Sequence, residues 1–549
     1  MASPLHTAYQ TFVSEWFRNH GGEPGVAEQL DRHSKAALVL WNLDLEPARP
    51  YLAECYAPVR RGTEPWDPVV QLRVLLLSLL VEQTSINKWV DDLQGSRVLR
   101  VLAGIPEDKR RPGVGTVYDF LHRLHDGPPD RGVLPENRPS VVERRRSRIA
   151  RPRKKKDKTA APNSGRARRT ARRADARRAA KEAAHQTQAR NETATARLVE
   201  ELQAARDLPA PTDLTQRLAE ILVAVAVDES ARRGLLGKLS GLSVNGDGSL
   251  FRTGASPHGK RACGHSWNDR CDCERFFSDP DAEWGWSHHI KNWVFGHLLY
   301  EVGVSVRGHD LPLLVTLQPG NGSDYLASLH SVDRLSKLLR ERYPDWTLAR
   351  FTADAGHDAD ATHRFLLGLG ITPIIPARST LPVEYPGRPD LKLSKRGVPL
   401  CPANVEMALR SKEADGKLVL YCPVRAGLLK ACPLAPGGDP AWRCRPDQNW
   451  GPTVTLNAFD HPRICGPLPR NSKAWIQAYN ARSGCERRNS VKKGPLKLVE
   501  ARHRRASFWL IRLNLSAILQ HARVWVADAD KRAFVDFLLG RKEVMPIAA

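Results

Sequence analysis

The order of hydrophobic segments beyond residue 240 places the strongest constraint on the fold. Short apolar runs predict five strands, at residues 242–250, 293–304, 311–318, 348–353 and 371–375. Apolar residues three or four positions apart predict helices at residues 324–342 and 361–369. Strands that come first and then alternate with helices are typical of an α/β domain.

The region before these strands is predicted to be helical. Residues 1–140 form a first predicted domain, in which Val69–Val81 is a long apolar run. Asp67 is expected to cap this helix, with Pro68 at its first position. Shorter helical patterns follow at residues 86–93, 97–102 and 116–124. Short helices with basic flanks are compatible with a DNA-binding module, and the alternative is a helical domain that serves packing alone.

The positive charge of the chain is concentrated in one segment. Its 549 residues include 84 Lys and Arg and 60 Asp and Glu, which gives a net charge of +24. Eighteen of the basic residues and only two aspartates lie between Arg144 and Lys181, a net charge of +16. Residues 141–182 are therefore predicted to be a basic, largely disordered linker, and residues 183–240 a helical connector. This charge favours nucleic acid as a partner, with a solvated linker as the alternative.

Other protein classes do not fit the sequence. The longest apolar stretch, Val74–Val81, is far shorter than the roughly 18 residues that span a bilayer, so we expect no membrane association. The N-terminal sequence MASPLHTAYQTF has no basic stretch followed by an apolar one, so no secretory signal is predicted. Ten cysteines in 549 residues are too few for a disulfide scaffold. A cytoplasmic location with reduced thiols is the expectation.

Two aspartates are expected at the ends of predicted strands. Asp247 lies in VNGDGSL and Asp354 in ARFTADAGHD, and small neighbours leave room beside each carboxylate. Mg²⁺ prefers hard oxygen ligands and keeps open positions for water and phosphate. Two such ions can hold the attacking and leaving oxygens of a phosphoryl transfer, usually with a third shared carboxylate. Asp354 is preferred over the nearby Asp358, which is expected to cap a helix or to support the site.

Glu486 is the candidate for the third carboxylate. It belongs to the spacing Y-x2-R-x3-E-x6-K, formed by Tyr479, Arg482, Glu486 and Lys493. On one continuous helix these four residues would share a face. Arginine offers a bidentate fork and lysine a point charge to a phosphate. The pattern therefore predicts a carboxylate between two cations. This arrangement suits a site that binds both a metal ion and a phosphodiester.

Together these motifs resemble the DDE transposases of bacterial insertion sequences, in the group with the Y-R-E-K signature. The matching parts are NGDGS around Asp247, TADAGHD around Asp354 and the four residues of the signature. The helical N-terminal region is similar as well. The resemblance implies an α/β RNase H-like catalytic core, a mixed sheet flanked by helices. This core would comprise residues 241–379 and 471–549, with residues 380–470 as an insertion.

The same resemblance implies the roles of individual residues. Asp247, Asp354 and Glu486 would be the catalytic triad that binds two Mg²⁺ ions, with Mn²⁺ as a substitute. Tyr479, Arg482 and Lys493 would contact the DNA end near the cleaved phosphate. The implied activity is DNA strand cleavage at terminal inverted repeats and strand transfer into target DNA, by a homodimer associated with the bacterial nucleoid. Two alternatives are an RNase H-fold endonuclease without transfer and an inactive DNA-binding repressor derived from a transposase.

Two groups of cysteines are candidates for metal binding. The first is a Cys₃His set with the spacing C-x-H-x5-C-x-C that suits tetrahedral Zn²⁺: Cys263, His265, Cys271 and Cys273. The alternative is free cysteines in a loop. The Pro- and Gly-rich insertion, predicted to be β-rich or irregular, holds five more: Cys401, Cys422, Cys432, Cys444 and Cys465. Scattered reduced thiols are the default expectation for these five, with a second metal knuckle as the alternative.

Overall fold

A computed structural model describes residues 3–56, 64–126, 144–145, 182, 186, 189–261, 263–265, 275–378 and 381–543. The predicted basic linker lies almost entirely outside these ranges. So do Cys271 and Cys273, so the first candidate zinc set is described only at Cys263 and His265. Within the described ranges, no helix combines the length and the apolar character needed to cross a membrane.

The described part of the N-terminal region is helical, as predicted. Its helices are α1 (Pro4–His20), α2 (Val26–Arg32), α3 (Ser34–Asn42), α4 (Arg49–Ala53), α5 (Pro68–Leu80), α6 (Ile86–Gly95), α7 (Arg97–Leu102) and α8 (Val114–Asp126). The predicted cap of α5 is confirmed, because Asp67 accepts from the backbone N–H groups of Val69 and Val70. Ser85 and Ser96 cap α6 and α7 in the same way.

Three helices connect this region to the sheet: α9 (residues 189–204), α10 (Leu214–Leu222) and α11 (Asp228–Arg232). Asp213 caps α10 as predicted and accepts from the N–H of Gln216 at 2.8 Å. A π-helical turn at Val223–Val227, which the sequence pattern did not indicate, joins α10 to α11. Arg334 also donates two hydrogen bonds to Asp213, at 2.7 and 2.8 Å, which fastens the connector to a helix that covers the sheet.

A six-stranded mixed sheet forms the centre of the molecule. Its strands are β1 (Leu242–Arg252), β2 (Glu283–Ser287), β3 (Asn292–Val306), β4 (His309–Pro319), β5 (Leu348–Thr352) and β6 (Thr372–Ile374). β1 pairs antiparallel with β3 and parallel with β5, and β5 pairs parallel with β6. β3 also pairs antiparallel with β2 and β4. Residues 295–304 of β3 are all buried, as expected for a strand covered on both faces.

Helices cover the sheet and bring the two ends of the chain together. They are α12 (Asp324–Arg342), α13 (Asp360–Gly368), α14 (Lys473–Asn480), α15 (Ser483–Lys493), α16 (Ala506–Trp525) and α17 (Lys531–Leu538). The largely buried α16 packs against β4 and also against α3, α5 and α10. Trp41 packs edge-on against Phe534 of α17, with ring centroids 5.7 Å apart. One continuous hydrophobic core therefore includes the N-terminal helices, the sheet and the C-terminal helices.

Residues 381–470 have a hydrophobic core of their own. A short hairpin, β7 (Glu384–Tyr385) and β8 (Arg388–Lys392), precedes a three-stranded antiparallel sheet of β9 (Ala408–Lys412), β10 (Lys417–Tyr421) and β11 (Thr453–Asn457). A short turn at residues 413–416 joins β9 to β10, and longer irregular stretches precede β9 and β11. This agrees with the expectation of a β-rich or irregular segment.

Candidate active site

Asp247 lies in the middle of β1, so the expectation that it ends a strand is wrong. The strand continues to Arg252, because residues 244–252 all pair with β3. On its other side, β1 pairs with β5 only as far as Asn245, opposite Thr352 at the end of β5. Asp247 therefore lies just beyond the carboxyl end of the parallel neighbour, the position at which open α/β sheets commonly bind ligands.

Asp354 follows the end of β5 and is held by its own loop. Its Oδ1 accepts from the N–H of Gly356 at 2.8 Å and from Nδ1 of His357 at 2.7 Å. Nε2 of His357 is then left to accept from the hydroxyl of the buried Tyr300, 3.3 Å away. The hydrogen bond from His357 lowers the pKa of Asp354, and the charge of Arg482 adds to this effect. Asp354 is therefore an oriented, ionised carboxylate at neutral pH.

A further acidic residue, Asp324, joins these two and was not identified from the sequence. It lies in the first turn of α12, and its carboxylate rests against the backbone of Gly248. A side chain at Gly248 would collide with this carboxylate, and one at Gly246 would collide with the Tyr300 hydroxyl. The space beside each of the two glycines is therefore occupied by another side chain of the protein, Asp324 beside Gly248 and Tyr300 beside Gly246. In the sequence Asp324 looked like an ordinary acidic residue at a helix N-terminus.

The three aspartates influence one another electrostatically. Burial, together with the charges of Asp324 and Asp354, raises the pKa of Asp247 to about 6, although Arg482 opposes this. Burial and the charge of Asp354 also raise the pKa of Asp324. Partly desolvated like charges destabilise each other, and a bound cation would relieve that repulsion. Perturbed carboxylates of this kind concentrate at functional sites.

The residues of the Y-R-E-K pattern occupy two helices, so the expectation of one continuous helix is wrong. Tyr479 lies in the last turn of α14, whereas Glu486 and Lys493 lie in α15. The two helices meet at residues 481–482, where the backbone hydrogen bonds tighten to i→i−3, and Asn245 of β1 donates to the carbonyl of Ala481 there at 3.1 Å. Two residues later, Gly484 lies so close to β3 and β4 that a side chain there would strike Ser305 and Asp310.

Arg482 stands between the carboxylates that the sequence singled out. Its Nη1 donates to Oε1 of Glu486 at 3.0 Å, and the Glu486 side chain is 63% exposed. Burial lowers the pKa of Arg482, but the charges of Asp247, Asp354 and Glu486 together raise it above its usual value. Glu486 thus contacts the guanidinium directly, whereas Asp247 and Asp354 act on it through their charge. Within the described ranges, however, no three His, Cys, Asp or Glu side chains are close enough together to hold a metal ion.

The other two residues of the pattern flank this cluster. Tyr479 stacks on Trp475, with ring centroids 4.9 Å apart and planes 12° apart. Lys493 lies over the ring of Phe251, with 5.8 Å between its Nζ and the ring centroid. Burial lowers the pKa of Lys493, and the charge of Asp247 opposes this. Lys493 is therefore a partly buried cation within electrostatic reach of Asp247.

Asn489 is a second residue that the sequence did not indicate. It lies on α15, is buried, and donates from Nδ2 to Oδ2 of Asp247 at 3.4 Å. Its Oδ1 is buried without a hydrogen-bond partner among the described residues. The sequence could have indicated a role for Asn489 only through its position, one helical turn after Glu486. Buried amide oxygens are normally paired, so this one is a candidate to meet a ligand.

Asp358 has a structural role, which supports the preference for Asp354. Its carboxylate is fully buried and pairs with Arg463 at 3.3 Å, Arg470 at 3.3 Å and His363 at 3.1 Å. The two arginines belong to the far end of the predicted insertion. Asp358 therefore fastens residues 463–470 beside the sheet, as a supporting group rather than a ligand in the cluster.

Comparisons with known proteins add no assignment to this geometry. A scan against models of protein families finds no match, and searches of curated proteins and of solved structures find no similar chain.

Proposed function

We propose that this chain is a DDE transposase that binds the ends of a DNA element and catalyses their Mg²⁺-dependent cleavage and transfer. One observation carries the proposal: Asp354 follows the parallel neighbour of the strand that holds Asp247, and Asn489, on the helix that holds Glu486, donates to Asp247 at 3.4 Å. Asp247, Asp354 and Glu486 are separated from one another by more than a hundred residues in the sequence, so only the tertiary structure puts the elements that hold them side by side.

The architecture around these residues supports the interpretation of the core as an RNase H-like fold. A mixed sheet flanked by helices carries the first aspartate on β1 and the second directly after β5. α15 lies across the sheet and carries the glutamate. Its Arg488 donates to Glu301 of β3 at 2.7 Å, which holds the helix in place. This is the arrangement that the resemblance to DDE transposases implies.

The side chains present fit a hard divalent cation. The set consists of carboxylates with mutual repulsion and the unpartnered amide oxygen of Asn489, all of them oxygen donors. Asp247, Asp354 and Glu486 would hold the metal. Mg²⁺ or Mn²⁺ bound there would supply charge neutralisation at the phosphate and activation of water.

The chain's own residues would prepare the site for this chemistry. His357 fixes the orientation of Asp354, and Asn489 fixes that of Asp247. Glu486 must leave Arg482 to join the two aspartates, and the released guanidinium can then pair with a DNA phosphate. Lys493 adds a second cation, and Tyr479 an aromatic surface beside the same site. The partners under this proposal are double-stranded terminal inverted repeats and target DNA, held by a homodimer in the cytoplasm.

The test is cleavage of labelled DNA that carries the inverted repeats flanking the coding sequence, in the presence of Mg²⁺. Asp354→Asn should reduce cleavage by at least about a thousandfold while binding to the repeats persists. Asp390→Asn is the matched control, because Asp390 is an exposed carboxylate paired with Arg388 in β8. Persistent cleavage by Asp354→Asn would overturn the assignment. Cleavage without any joined product would favour the endonuclease alternative.

A further inference from the structure

The strands β2 and β3 extend beyond the rest of the central sheet as a two-stranded ribbon. β2 pairs over its whole length with the start of β3, and a turn at residues 288–291 joins the two strands. The pairing of β3 with β1 begins only at Gly296, and its pairing with β4 only at His297. Among the described residues, the first four residues of β3 therefore have only β2 as a neighbouring strand. Residues 283–295 form this aromatic ribbon.

Four aromatic side chains form two cross-strand pairs in the ribbon. Trp286 lies opposite Trp293, with ring centroids 5.6 Å apart. Trp284 lies opposite Phe295, with ring centroids 5.4 Å apart. Alternation along the strands puts both pairs on the same face. Phe295 is buried, but the three tryptophans are 43% to 57% exposed, which is unusual for this residue type and marks a surface for a partner.

Close backbone contacts fix the base of the ribbon on the sheet. A side chain at Gly285 would strike the carbonyl oxygen of Gly320, which directly follows β4. Gly320 in turn donates its N–H to the carbonyl of Gly296 at 2.9 Å. The ribbon is therefore anchored on the loop after β4, and its direction is set by the backbone.

The ribbon projects from the sheet edge that carries the acidic cluster. β3 runs antiparallel to β1, so its first residues lie at the carboxyl end of β1. β5 runs parallel to β1, and Asp354 follows its carboxyl end. The loop that anchors the ribbon continues to Asp324, four residues beyond Gly320. Burial raises the pKa of Asp324, and the charge of His288 in the turn is among the effects that oppose this.

The tip of the ribbon combines aromatic surface with basic groups. Residues 288–293 are all exposed, and they include His288, His289 and Lys291. The sequence has no Asp or Glu between residues 284 and 300. Every nucleobase offers a flat face on which an aromatic ring can stack, and a cation beside the ring attracts the phosphate backbone. The tip therefore has the chemistry of a surface that binds single-stranded nucleic acid.

The exposed apolar area is too small for a stable interface with a second copy of the chain. The three tryptophans and Ile290 together expose roughly 400 Å². A stable protein interface usually buries about 800 Å² on each partner. A few stacked bases match the smaller area.

We propose that the aromatic ribbon binds an unpaired DNA strand, whose bases stack on Trp286 and Trp293 while Lys291 pairs with the phosphate backbone. Trp284 continues the same face toward the sheet. The inference rests on the proposed transposase function, because the partner is taken to be a strand that leaves the candidate active site. Stacking does not depend on base identity, so the ribbon holds the strand without reading its sequence.

The test measures binding of fluorescein-labelled oligothymidylate to the full-length protein by fluorescence anisotropy, with a chelator present and at about 0.3 M salt. Salt at this level weakens the attraction between the basic linker and phosphate more than it weakens stacking. We expect the double variant Trp286→Ala with Trp293→Ala to bind at least about tenfold more weakly than wild type. Phenylalanine at both positions should restore most of the affinity, because it keeps a ring on which bases can stack.

Trp450→Ala is the matched control. Trp450 is 47% exposed as well, but it lies in the insertion with Arg410 over its ring, 4.1 Å from the centroid. We expect this variant to bind the oligonucleotide as wild type does. Wild-type affinity in the double alanine variant, or an equal loss in Trp450→Ala, would overturn the proposal.

Two further readouts separate this proposal from its alternatives. If the double alanine variant keeps its DNA affinity but loses dimers in gel filtration, or loses binding to anionic lipid vesicles, the ribbon serves a second copy or a membrane surface and the proposal is wrong. The oligonucleotide carries no inverted repeat and the chelator prevents cleavage. Failure of the binding test and failure of the proposed strand cleavage are therefore distinguishable.

Discussion

Asp247 and Glu301 lie directly opposite each other on β1 and β3, yet their carboxylates have contrasting surroundings. Glu301 is buried and accepts from Nε of Arg488 at 2.7 Å and from Nζ of Lys492. These two cations outweigh the effect of burial and lower its pKa. Burial and the charges of Asp324 and Asp354 raise the pKa of Asp247 to about 6, although Arg482 opposes them. The carboxylate of Glu301 stabilises the fold, whereas that of Asp247 is arranged for a cationic ligand.

Glu301→Gln is expected to destabilise the protein strongly. The substitution leaves the guanidinium of Arg488 and the ammonium of Lys492 buried without a counter-charge, which typically costs about 3–5 kcal/mol. The midpoint of urea denaturation measures the change. Glu413→Gln is the control, because it breaks an exposed, solvent-screened ion pair with Lys417 and should leave the midpoint nearly unchanged. Equal midpoints for the two variants would contradict the assigned role of Glu301.

Asp247→Asn is expected to stabilise the metal-free protein at neutral pH. Because the folded state raises the pKa of Asp247, wild-type stability decreases as the pH rises from about 4 to about 6, where this carboxyl must ionise. The asparagine variant cannot ionise at this position, so its gain in stability over wild type is absent below about pH 4 and reaches about 3 kcal/mol above pH 6. Thermal unfolding with a chelator present, at pH 4 and at pH 7.5, provides the measurement. A variant less stable than wild type at both pH values would show that Asp247 does not carry this repulsion.

Binding of a divalent cation is expected to weaken below about pH 6. The carboxyl of Asp247 must lose its proton to act as a ligand, so affinity should fall as the pH drops through its pKa. Calorimetric titration with Mn²⁺ between pH 5 and 8 measures this midpoint. Asp324→Asn should shift the midpoint to lower pH, because it removes a negative charge that raises the pKa of Asp247. A midpoint that does not move would rule out this coupling.

Gly248→Ala is expected to disturb the site through Asp324. An added methyl group would collide with the Asp324 carboxylate and push the N-terminus of α12 away from β1, a change that typically costs about 1–3 kcal/mol. We expect slower DNA cleavage with unchanged binding to the DNA ends. Gly368→Ala is the control, since a Cβ there meets no atom within 4 Å. Full cleavage activity in Gly248→Ala would show that this close contact is not required.

Local sequence patterns determined most of the secondary structure. The helix at Asp324–Arg342 has the predicted bounds, and α5 begins at the predicted cap. Five of the six strands of the central sheet were also predicted, and the three carboxylates were candidates from residue spacing, because apolar periodicity and spacing are local properties. The strand β2 at Glu283–Ser287 was not predicted. The sequence pattern did not predict that α14 and α15 are separate helices, which meet where Asn245, 236 residues away in the chain, donates to the carbonyl of Ala481.

The composition of the candidate site was decided by the tertiary structure. Asp324 joins Asp247 only because β1 passes beneath the N-terminus of α12 at Gly248. Contacts of this kind depend on how elements far apart in the chain pack together, which no periodicity encodes. The sequence thus determined which side chains can do the chemistry, and packing decided which of them share one electrostatic environment.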